Sequence, residues 1–403
     1  MIQFLNNTVA SHYKGKICLL RVDLNISFKD KSGLFRLDSV IPTIQLLLKH
    51  DIKVVIASHR GRPDKYIPSE SLDVFAPLIA KRLGTDVDFI SSYRIGALVK
   101  AVKASNTKVV LLENLRFFNG ETANDPSFAK QLAALADFYV NDAFAVSHRT
   151  NASVVAITKF LPSFGGLLFE KEIGHLDEGL KKQKHPFVVI IGGAKISDKL
   201  GVIKNFWNKA DIFLLGGGPA NTVFKARGFP IGSSIVDEKV ILEIKKYVSS
   251  PKIRVPSDVV FSGNKILDIG KKTIEKYSKI IASAKTIIWN GPMGVFEEKR
   301  FTNGTEAIWN AILKNKKAKI IIGGGDTMAS SKLISNFSTK CGSAFSSRGG
   351  STSGGGGKFR PPAASPWRDR GISNLRNVFI STGGGAMLEY LSGKKLPGIE
   401  ALR

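Results

Sequence analysis

The chain has 403 residues, of which 43% are hydrophobic, and its 59 Lys and Arg outnumber its 33 Asp and Glu to give a net charge of +26. This length suits two domains and the composition excludes a wholly disordered chain, while Cys18 and Cys341 are too few and too distant for a disulfide framework or a zinc site. The N-terminus lacks a signal-peptide pattern and no apolar run approaches the ~18 residues of a membrane span, so we expect a cytoplasmic protein without membrane contact.

Short apolar, β-branched runs alternate with helix-period segments along the whole chain. Runs of this kind are typical of strands buried on both faces of a parallel sheet. Nine strands are predicted, at residues 17–25, 53–59, 109–114, 137–143, 187–193, 212–218, 286–291, 319–325 and 378–382. Helices are predicted between them at residues 37–50, 125–137, 196–207 and 302–315. The alternation predicts an α/β protein built from doubly wound parallel sheets.

A long interval without a predicted strand, residues 144–186, divides the chain. It contains FGGLLFEKEIGHLDEGLKK, which has the apolar period of a single helix. A helix between two runs of strands is a natural bridge between two α/β domains. We therefore expect an N-terminal domain at 1–162, a linking helix at 163–182 and a C-terminal domain at 183–385.

The segment 338–372 interrupts the alternation with eight glycines, many serines and the sequence RPPAASP. Such a composition buries too little apolar surface to offset the entropy of ordering, so we expect a flexible insertion. Its stretch RGGSTSGGGGKF suggests a phosphate-binding P-loop. The P-loop spacing fails, because Thr352 stands where the first glycine is needed and Phe359 follows the lysine.

The excess positive charge is spread along the chain, since 338–372 holds only six basic residues and one acidic residue. It would attract polyanions such as nucleic acid, an anionic membrane or phosphorylated metabolites. A solvated, lysine-rich surface is the simpler explanation for most of it. Aromatic residues are not interleaved with the basic runs as a stacking platform requires, so we do not expect a nucleic-acid partner.

Four predicted strands in the second half end in glycine and run directly into a helix. Their sequences are GGAKISDKL, GGGPANTVF, GGGDTMAS and TGGGAMLEYL. A helix N-terminus offers unpaired N–H groups and partial positive charge to phosphate, and parallel sheets bind ligands at the carboxyl ends of their strands. One such turn can be purely structural, but four together predict a nucleotide site. The dinucleotide spacing Gly-x-Gly-x-x-Gly occurs at none of them.

Polar residues near these turns have two interpretations each. Lys195 and Lys199 are four residues apart, so on a helix they share a face and reach bound phosphate, or they are a solvated pair. Asp326 is either the N-cap of a helix or a holder of nucleotide-bound Mg²⁺. Glu297 either accepts a hydrogen bond from a ribose hydroxyl or is plain surface.

The first half offers arginines at predicted strand ends instead of glycine turns. They accompany other polar residues in the sequences RVDLN, SHRGRP, ENLRF and SHRTNAS, and Arg36 lies in a predicted loop before a helix. Guanidinium groups match carboxylate and phosphate oxygens bidentately, so arginines gathered at one sheet edge would bind a small, multiply charged anion. Any single arginine is more often a surface residue, and His59 alone can be a structural histidine.

The two halves together suggest a reaction. An anion on one domain and a nucleotide on the other, facing across a cleft, indicate phosphoryl transfer with domain closure that excludes water.

The motifs match a known family. RVDLN, SHRGRP, LLENLRF, GGAKISDKL, WNGPMGVFE, GGGDT and STGGGAMLEYL occur in family order over nearly the whole chain. The chain resembles phosphoglycerate kinases. This resemblance implies reversible transfer of the acyl phosphate of 1,3-bisphosphoglycerate to ADP, giving 3-phosphoglycerate and ATP, with Mg²⁺. It also implies two domains, with a C-terminal segment 386–403 that returns to the N-terminal domain. Nothing in the sequence demands more than a monomer, so we expect one.

The resemblance also implies roles for individual residues. The triose site would comprise Asp23, Asn25, Arg36, His59, Arg62, Arg116 and Arg149. The nucleotide site would comprise Lys195, Lys199, Gly217, Asn290, Glu297, Gly323, Gly324, Gly325, Asp326 and Thr327. The catalytic residues would be Arg36, Lys195 and Gly324, and Asp326 would hold the nucleotide-bound Mg²⁺.

The sequence departs from the family pattern at three places. Ser27 stands near a usual proline, and Ala145-Val146 replaces a commoner small or hydroxyl pair. Asp326 and Ser381 are 55 positions apart, which exceeds the family's helix and strand and matches the glycine-rich segment. The insertion is therefore either a bystander in an active kinase or the cause of a non-catalytic one.

Overall fold

The fold was analysed in a computed structural model that describes residues 1–26, 33–63, 65–92, 95–334 and 377–403. The α/β prediction is confirmed, since two parallel six-stranded sheets with flanking helices make up this part of the chain. The insertion 338–372, together with Ser27 and Cys341, lies outside the described residues.

The first sheet contains six parallel strands in the order β3-β4-β2-β1-β5-β6. The strands are β1 (Ile17–Arg21), β2 (Lys53–Ala57), β3 (Asp88–Ile90), β4 (Val109–Leu112), β5 (Phe138–Asn141) and β6 (Ser163–Gly165). Because β1 is flanked by β2 and β5, the segments that follow these three strands emerge side by side at one edge.

The second sheet has six parallel strands in the order β14-β13-β12-β7-β8-β9, and β10 and β11 form a separate antiparallel hairpin. The strands are β7 (Phe187–Ile191), β8 (Ile212–Leu215), β9 (Ile253–Arg254), β10 (Val259–Ser262), β11 (Lys265–Ile269), β12 (Thr286–Asn290), β13 (Lys319–Gly323) and β14 (Val378–Ile380). The four predicted glycine turns follow β7, β8, β13 and β14.

Fifteen helices flank the sheets within the described residues. They are α1 (Asn7–His12), α2 (Gly33–Lys49), α3 (Ala76–Leu83), α4 (Ile95–Ala104), α5 (Asn119–Thr122), α6 (Pro126–Ala133), α7 (Leu167–Lys181), α8 (Ser197–Phe206), α9 (Gly217–Ala226), α10 (Ile241–Val248), α11 (Lys271–Ser283), α12 (Asn303–Lys314), α13 (Gly325–Ala329), α14 (Gly385–Leu391) and α15 (Pro397–Glu400). Within the described ranges, no helix is both long and apolar enough to cross a bilayer.

All nine predicted strands are present, with their polar or glycine ends trimmed into loops. Five strands were missed because they have two to five residues and lack a continuous buried run. One of them corrects a boundary: Ser163–Gly165 pairs with β5, so the interval 144–186 is not free of strands. These three residues belong to the first sheet and not to the linking helix, which begins at Leu167.

Alternating residues of each strand enter different cores, as a parallel sheet covered on both faces requires. In β1, Leu20 packs in one cluster with Val54, whereas Leu19 belongs to a cluster that continues through Phe169 of α7 to Val189 of the second sheet. The linking helix therefore shares its apolar face with both sheets.

Two buried acids anchor the N-terminal half of the linking helix. The carboxylate of Asp142, which follows β5, accepts hydrogen bonds from the backbone N–H of Phe169 at 3.0 Å and the hydroxyl of Thr43 at 2.6 Å. Glu172 accepts from the hydroxyl of Ser381 beyond β14 at 2.7 Å. Near the chain end, the N–H of Gly398 donates to the carbonyl of Ser147 at 2.8 Å.

Candidate functional site

The arginines of the first half gather at the carboxyl edge of the first sheet. Arg21 ends β1 and His59 lies two residues beyond β2, with Arg21 Nη2 and His59 Nδ1 3.1 Å apart. Both side chains are buried, each 1% exposed. Arg116 lies in the short 3₁₀ turn after β4, and Arg149 lies beyond β5. The predicted clustering at strand ends is thus observed in the fold.

Arg36 joins this edge from α2. Its Nη1 donates to a carboxylate oxygen of Asp23 at 3.0 Å and to the carbonyl of Asn25 at 3.3 Å. The prediction of a loop here was wrong, because α2 begins at Gly33 and places Arg36 in its first turn. The Asn25 side-chain oxygen in turn accepts from the N–H of Gly61 at 3.0 Å, which fixes the loop after β2.

Neighbouring groups only partly neutralise the positive charge of the remaining arginines. Burial lowers the pKa of Arg116, and the nearby cations Arg149, Arg21 and Arg62 lower it further. Burial, and to a smaller extent the nearby cation Arg62, likewise lower the pKa of Arg149. Arg62 is exposed and forms no ion pair with a described residue. Crowded cations with this little neutralisation are chemically suited to a multiply charged anion.

Two buried polar atoms in this cluster lack a hydrogen-bond partner among the described residues, namely Nε2 of His59 and Nε of Arg116. Burial lowers the pKa of His59 well below its ordinary value, and the surrounding arginines act in the same direction. The ring is therefore neutral near pH 7. Buried donors without partners are costly unless a ligand satisfies them, which favours binding here over a structural role.

The glycine turns of the second sheet interlock through their backbones. The N–H of Gly193 donates to the carbonyl of Pro292 at 2.7 Å, and the N–H of Gly218 donates to the carbonyl of Gly193 at 2.8 Å. A Cβ at Gly218 would overlap the carbonyl oxygen of Ala194. Gly217 has φ +55°, which side chains disfavour. These glycines let three loops pack at one sheet edge.

The two lysines predicted to share a helix face do not do so. Lys195 precedes α8 and is exposed, whereas Lys199 lies within α8 and is buried. The two residues are nevertheless in contact, because the side-chain Nζ of Lys199 donates to the backbone carbonyl of Lys195 at 3.2 Å. Burial lowers the pKa of Lys199, while Asp198 and Asp326 oppose that shift. A buried ammonium beside glycine turns is suited to phosphate oxygens.

Asp326 is not the N-cap of its helix. Gly324 holds that position with φ +103°, and Asp326 is an exposed residue in the first turn of α13. Its carboxylate makes no hydrogen bond or ion pair with a described residue. The turn is built by two other residues: the Asn290 side chain donates to the Gly323 carbonyl at 2.9 Å, and Thr327 Oγ1 accepts from Gly291 at 2.7 Å.

A cavity of about 330 Å³ lies beside these turns. Its glycine and acidic lining includes Gly217, Glu297 and Asp326, which were singled out from the sequence, and Gly193 of the quoted turn GGAKISDKL. Its apolar lining was missed and comprises Ile235, Leu267, Val295 and Phe296, with Asn221 and Lys265 at its polar positions. Val295 and Phe296 lie in the quoted motif WNGPMGVFE, but its pattern does not mark them as cavity lining. Lys265 and Leu267 lie in β11 and reach the cavity only through the tertiary structure.

A second cavity, of about 630 Å³, lies on the other side of the α13 turn. Asn290, Gly324 and Gly325 line it together with Gly384 and Gly385 of the last glycine turn. This last turn meets the first half of the chain. A Cβ at Gly384 would lie 3.9 Å from Nη2 of Arg36, and a Cβ at Gly383 would contact the ring of Phe144.

The sequence model of one protein family, phosphoglycerate kinase, matches residues 9–394. The chain belongs to the phosphoglycerate kinase family. A phosphoglycerate kinase of Dictyoglomus turgidum is 40% identical to it, with 97% of this chain and 96% of that one covered. The cytosolic phosphoglycerate kinase 3 of Arabidopsis thaliana is 38% identical, with 96% of both chains covered.

Solved phosphoglycerate kinase structures share the fold. The enzyme of Pyrococcus horikoshii OT3 superposes with a TM-score of 0.75 at 31% identity, and that of Coxiella burnetii with 0.72 at 30% identity. Each comparison covers 97% of this chain and 96% of the other. The predicted kinase of glycolysis, a phosphotransferase, is thereby confirmed at the level of the family.

The described part of this phosphoglycerate kinase contains no group of three or more His, Cys, Asp or Glu residues that could hold a metal ion. Asp326 nevertheless presents a free, exposed carboxylate at the mouth of the smaller cavity. Mg²⁺ usually reaches kinases with the nucleotide phosphates and keeps several of its waters, so one carboxylate fits its needs.

The pair Ala145-Val146, one of the departures from the family pattern, lies just beyond β5. Both residues lie in the 3₁₀ turn Phe144–Val146, and Val146 is 3% exposed in an apolar cluster with Ala143 and Val154. An apolar residue therefore suits this position by its packing.

Proposed function

We propose that this protein transfers the acyl phosphate of 1,3-bisphosphoglycerate to ADP, and the reverse, with the two sheets each holding one substrate. The observation that carries the proposal is the approach of Arg36, from the cationic edge of the first sheet, to Gly384 at the glycine turns of the second. The anion site and the cavities at the glycine turns would therefore meet at this junction.

The triose substrate would bind at the cationic edge. Its carboxylate and phosphate oxygens would receive hydrogen bonds from Asn25, His59, Arg62, Arg116 and Arg149, and Asp23 would orient Arg36. The unpartnered atoms of His59 and Arg116 support this assignment, because an anion would satisfy both.

The nucleotide would occupy the smaller cavity. We assign the base to the apolar lining around Leu267 and Phe296 and the ribose to Glu297. Phosphates would contact Lys199 and the backbone of the glycine turns. The turn residues assigned to the nucleotide are Lys195, Gly217, Asn290, Gly323, Gly324, Gly325 and Thr327. Asp326 would hold Mg²⁺ on the nucleotide, directly or through water, and the ion would neutralise charge on the phosphates.

Arg36, Lys195 and the backbone N–H of Gly324 would stabilise the phosphoryl group in transfer. This group is largely metaphosphate-like, so the protein supplies positioning and positive charge and forms no covalent bond to it. The bond from the acyl oxygen to phosphorus breaks while the bond from the terminal oxygen of ADP forms. Closure of the two domains would exclude water from this transfer.

The domain division follows from this assignment. We propose an N-terminal domain that extends to Gly165, a linking helix, a C-terminal domain at 183–385, and a segment 386–403 that returns to the N-terminal domain. We further propose that the enzyme acts as a monomer in the cytoplasm.

A coupled assay with ATP and 3-phosphoglycerate tests the reaction. We expect magnesium-dependent turnover, and a folded sample without turnover would contradict the proposal. A deletion of residues 338–372 then separates an active kinase from a non-catalytic one. Activity that is kept or increased marks the insertion as a bystander, whereas turnover that appears only after deletion identifies it as an inhibitory element.

A further inference from the structure

A chain of buried polar side chains runs behind the cationic edge and ends at His59. The carboxylate of Glu121 accepts from the Ser153 N–H at 2.9 Å and the Ser153 hydroxyl at 2.7 Å. Ser153 Oγ accepts from Arg21 Nε at 2.9 Å. Arg21 Nη2 then lies 3.1 Å from Nδ1 of His59. All four residues are at most 1% exposed.

The chemistry of this chain determines where the imidazole proton lies. A guanidinium has only donors, so Nδ1 of His59 must accept the hydrogen bond from Arg21. A neutral imidazole that accepts at Nδ1 carries its hydrogen on Nε2. A further bond, from Arg21 Nη1 to the carbonyl of Val22, holds the guanidinium in this orientation.

The charges that face His59 disfavour a second proton on the ring. Arg21 approaches from β1, Arg36 from α2, Arg116 from the turn after β4 and Arg149 from beyond β5. Acidic groups lie further back: Asp23 is paired with Arg36, and Glu121 is bonded to Ser153. Together with burial, the cations lower the pKa of the ring.

We propose that Arg21 is a positioning residue that holds His59 as the neutral Nε2–H tautomer, so that His59 offers the triose substrate a fixed hydrogen-bond donor in place of a titrating cation. The identity of the substrate rests on the proposed function, whereas the tautomer is a property of the free protein. Of the two ring nitrogens, Nε2 is the one without a hydrogen-bond partner among the described residues, as expected of a donor that binds the substrate.

Nitrogen-15 spectra of the substrate-free protein test the tautomer directly. The chain has only six histidines, and His59→Gln assigns the signal of interest. We expect a single neutral form with protonated Nε2 and no titration between about pH 5 and pH 8. A protonated Nδ1, or titration within that range, would overturn the proposal. This measurement needs no turnover, so it stands or fails independently of the catalytic assay.

Two charge-matched variants separate the contact from the charge. Arg21→Met removes a cation and the bond to Nδ1, whereas Arg116→Met removes a cation with no hydrogen bond to His59. We expect Arg21→Met to release the tautomer, so that both neutral forms of the ring are populated, while burial and the remaining arginines still hold the pKa of His59 below its ordinary value. The KM for 3-phosphoglycerate should then rise by about twofold or more, because the Nε2 hydrogen that donates to the anion is present in only part of the population, with the KM for ATP unchanged.

Arg116→Met should weaken binding of the triose substrate at every pH, and His59 should keep the Nε2–H tautomer. The proposal is overturned if both variants retain the tautomer, or if both lose it. Arg21 is fully buried, so its variant can fail to fold. In that case the spectrum of the unaltered protein decides.

Discussion

Glu172 of the linking helix and Thr382 of the last glycine turn are joined by two hydrogen bonds. The carboxylate accepts from the Thr382 N–H at 2.6 Å and from its hydroxyl at 2.7 Å, and a third bond comes from Ser381. The turn that carries Gly384 toward Arg36 is thus fixed to the helix between the two sheets.

The first prediction concerns pH and stability. Burial raises the pKa of Glu172 from 4.5 to about 7, so the folded state favours the protonated acid. The stabilisation from proton uptake is complete below the unfolded pKa and disappears as the pH rises through about 7. We expect the free energy of unfolding to fall with rising pH by up to about 3 kcal/mol from this group.

Glu172→Gln should remove that component. Urea unfolding of both proteins across this pH range measures the difference. Burial also raises the pKa values of Asp142 and Asp268 to about 6, but their contributions are the same in both proteins and cancel. Parallel pH profiles for the two proteins would contradict the assignment.

The second prediction concerns Arg36, which we place on the transferred phosphoryl group. Arg36→Ala should lower kcat by about a hundredfold or more, because arginines that stabilise phosphoryl transfer contribute on this scale. ADP binding, measured by calorimetry, should change little. Arg300→Ala, on an exposed side chain, is the control and should be active. A large loss of ADP affinity with kcat intact would show that Arg36 has a different role.

The third prediction concerns the carboxylate of Asp326. Asp326→Asn should weaken binding of magnesium-loaded ADP by about tenfold, since one charged ligand interaction is lost. Binding of metal-free ADP should be unchanged or slightly stronger, because a negative charge near the phosphates is gone. Titrations with and without Mg²⁺ measure both values on one protein. Equal losses in the two titrations would argue for a structural role.

The fourth prediction concerns the interlocked glycine turns. Gly218→Ala should destabilise the protein by about 1–3 kcal/mol and weaken nucleotide binding, because the new methyl overlaps the Ala194 carbonyl. Gly174→Ala in α7 is the matched control, since a Cβ there meets nothing within 4 Å. The control should gain about 0.5–1 kcal/mol, the ordinary helix preference for alanine over glycine. Urea unfolding and ADP titration compare the two, and similar outcomes would refute the packing argument.

The candidate site was partly visible in the sequence because its parts sit at strand ends. An apolar run followed by a polar or glycine residue marks the carboxyl end of a buried strand. This pattern predicted from the sequence alone that His59, Arg149 and Asp326 follow strand ends. Local pattern failed at the starts of helices. Lys195 was predicted within a helix but precedes α8, and Arg36 was predicted in a loop but lies in the first turn of α2.

The sequence by itself determined the fold class, the family and the residue types at the strand ends, because these depend on periodicity and on contiguous motifs. Only the tertiary structure decided which groups meet. Leu267 of the antiparallel hairpin and Phe296 of the loop after β12 line the same cavity, because the Val295 N–H donates to the Leu267 carbonyl at 2.9 Å. One buried chain of hydrogen bonds joins Glu121, Ser153, Arg21 and His59. Arg21 is 38 residues from His59 and 132 residues from Ser153 in the sequence. Contacts of that separation depend on strand order, which no local pattern encodes.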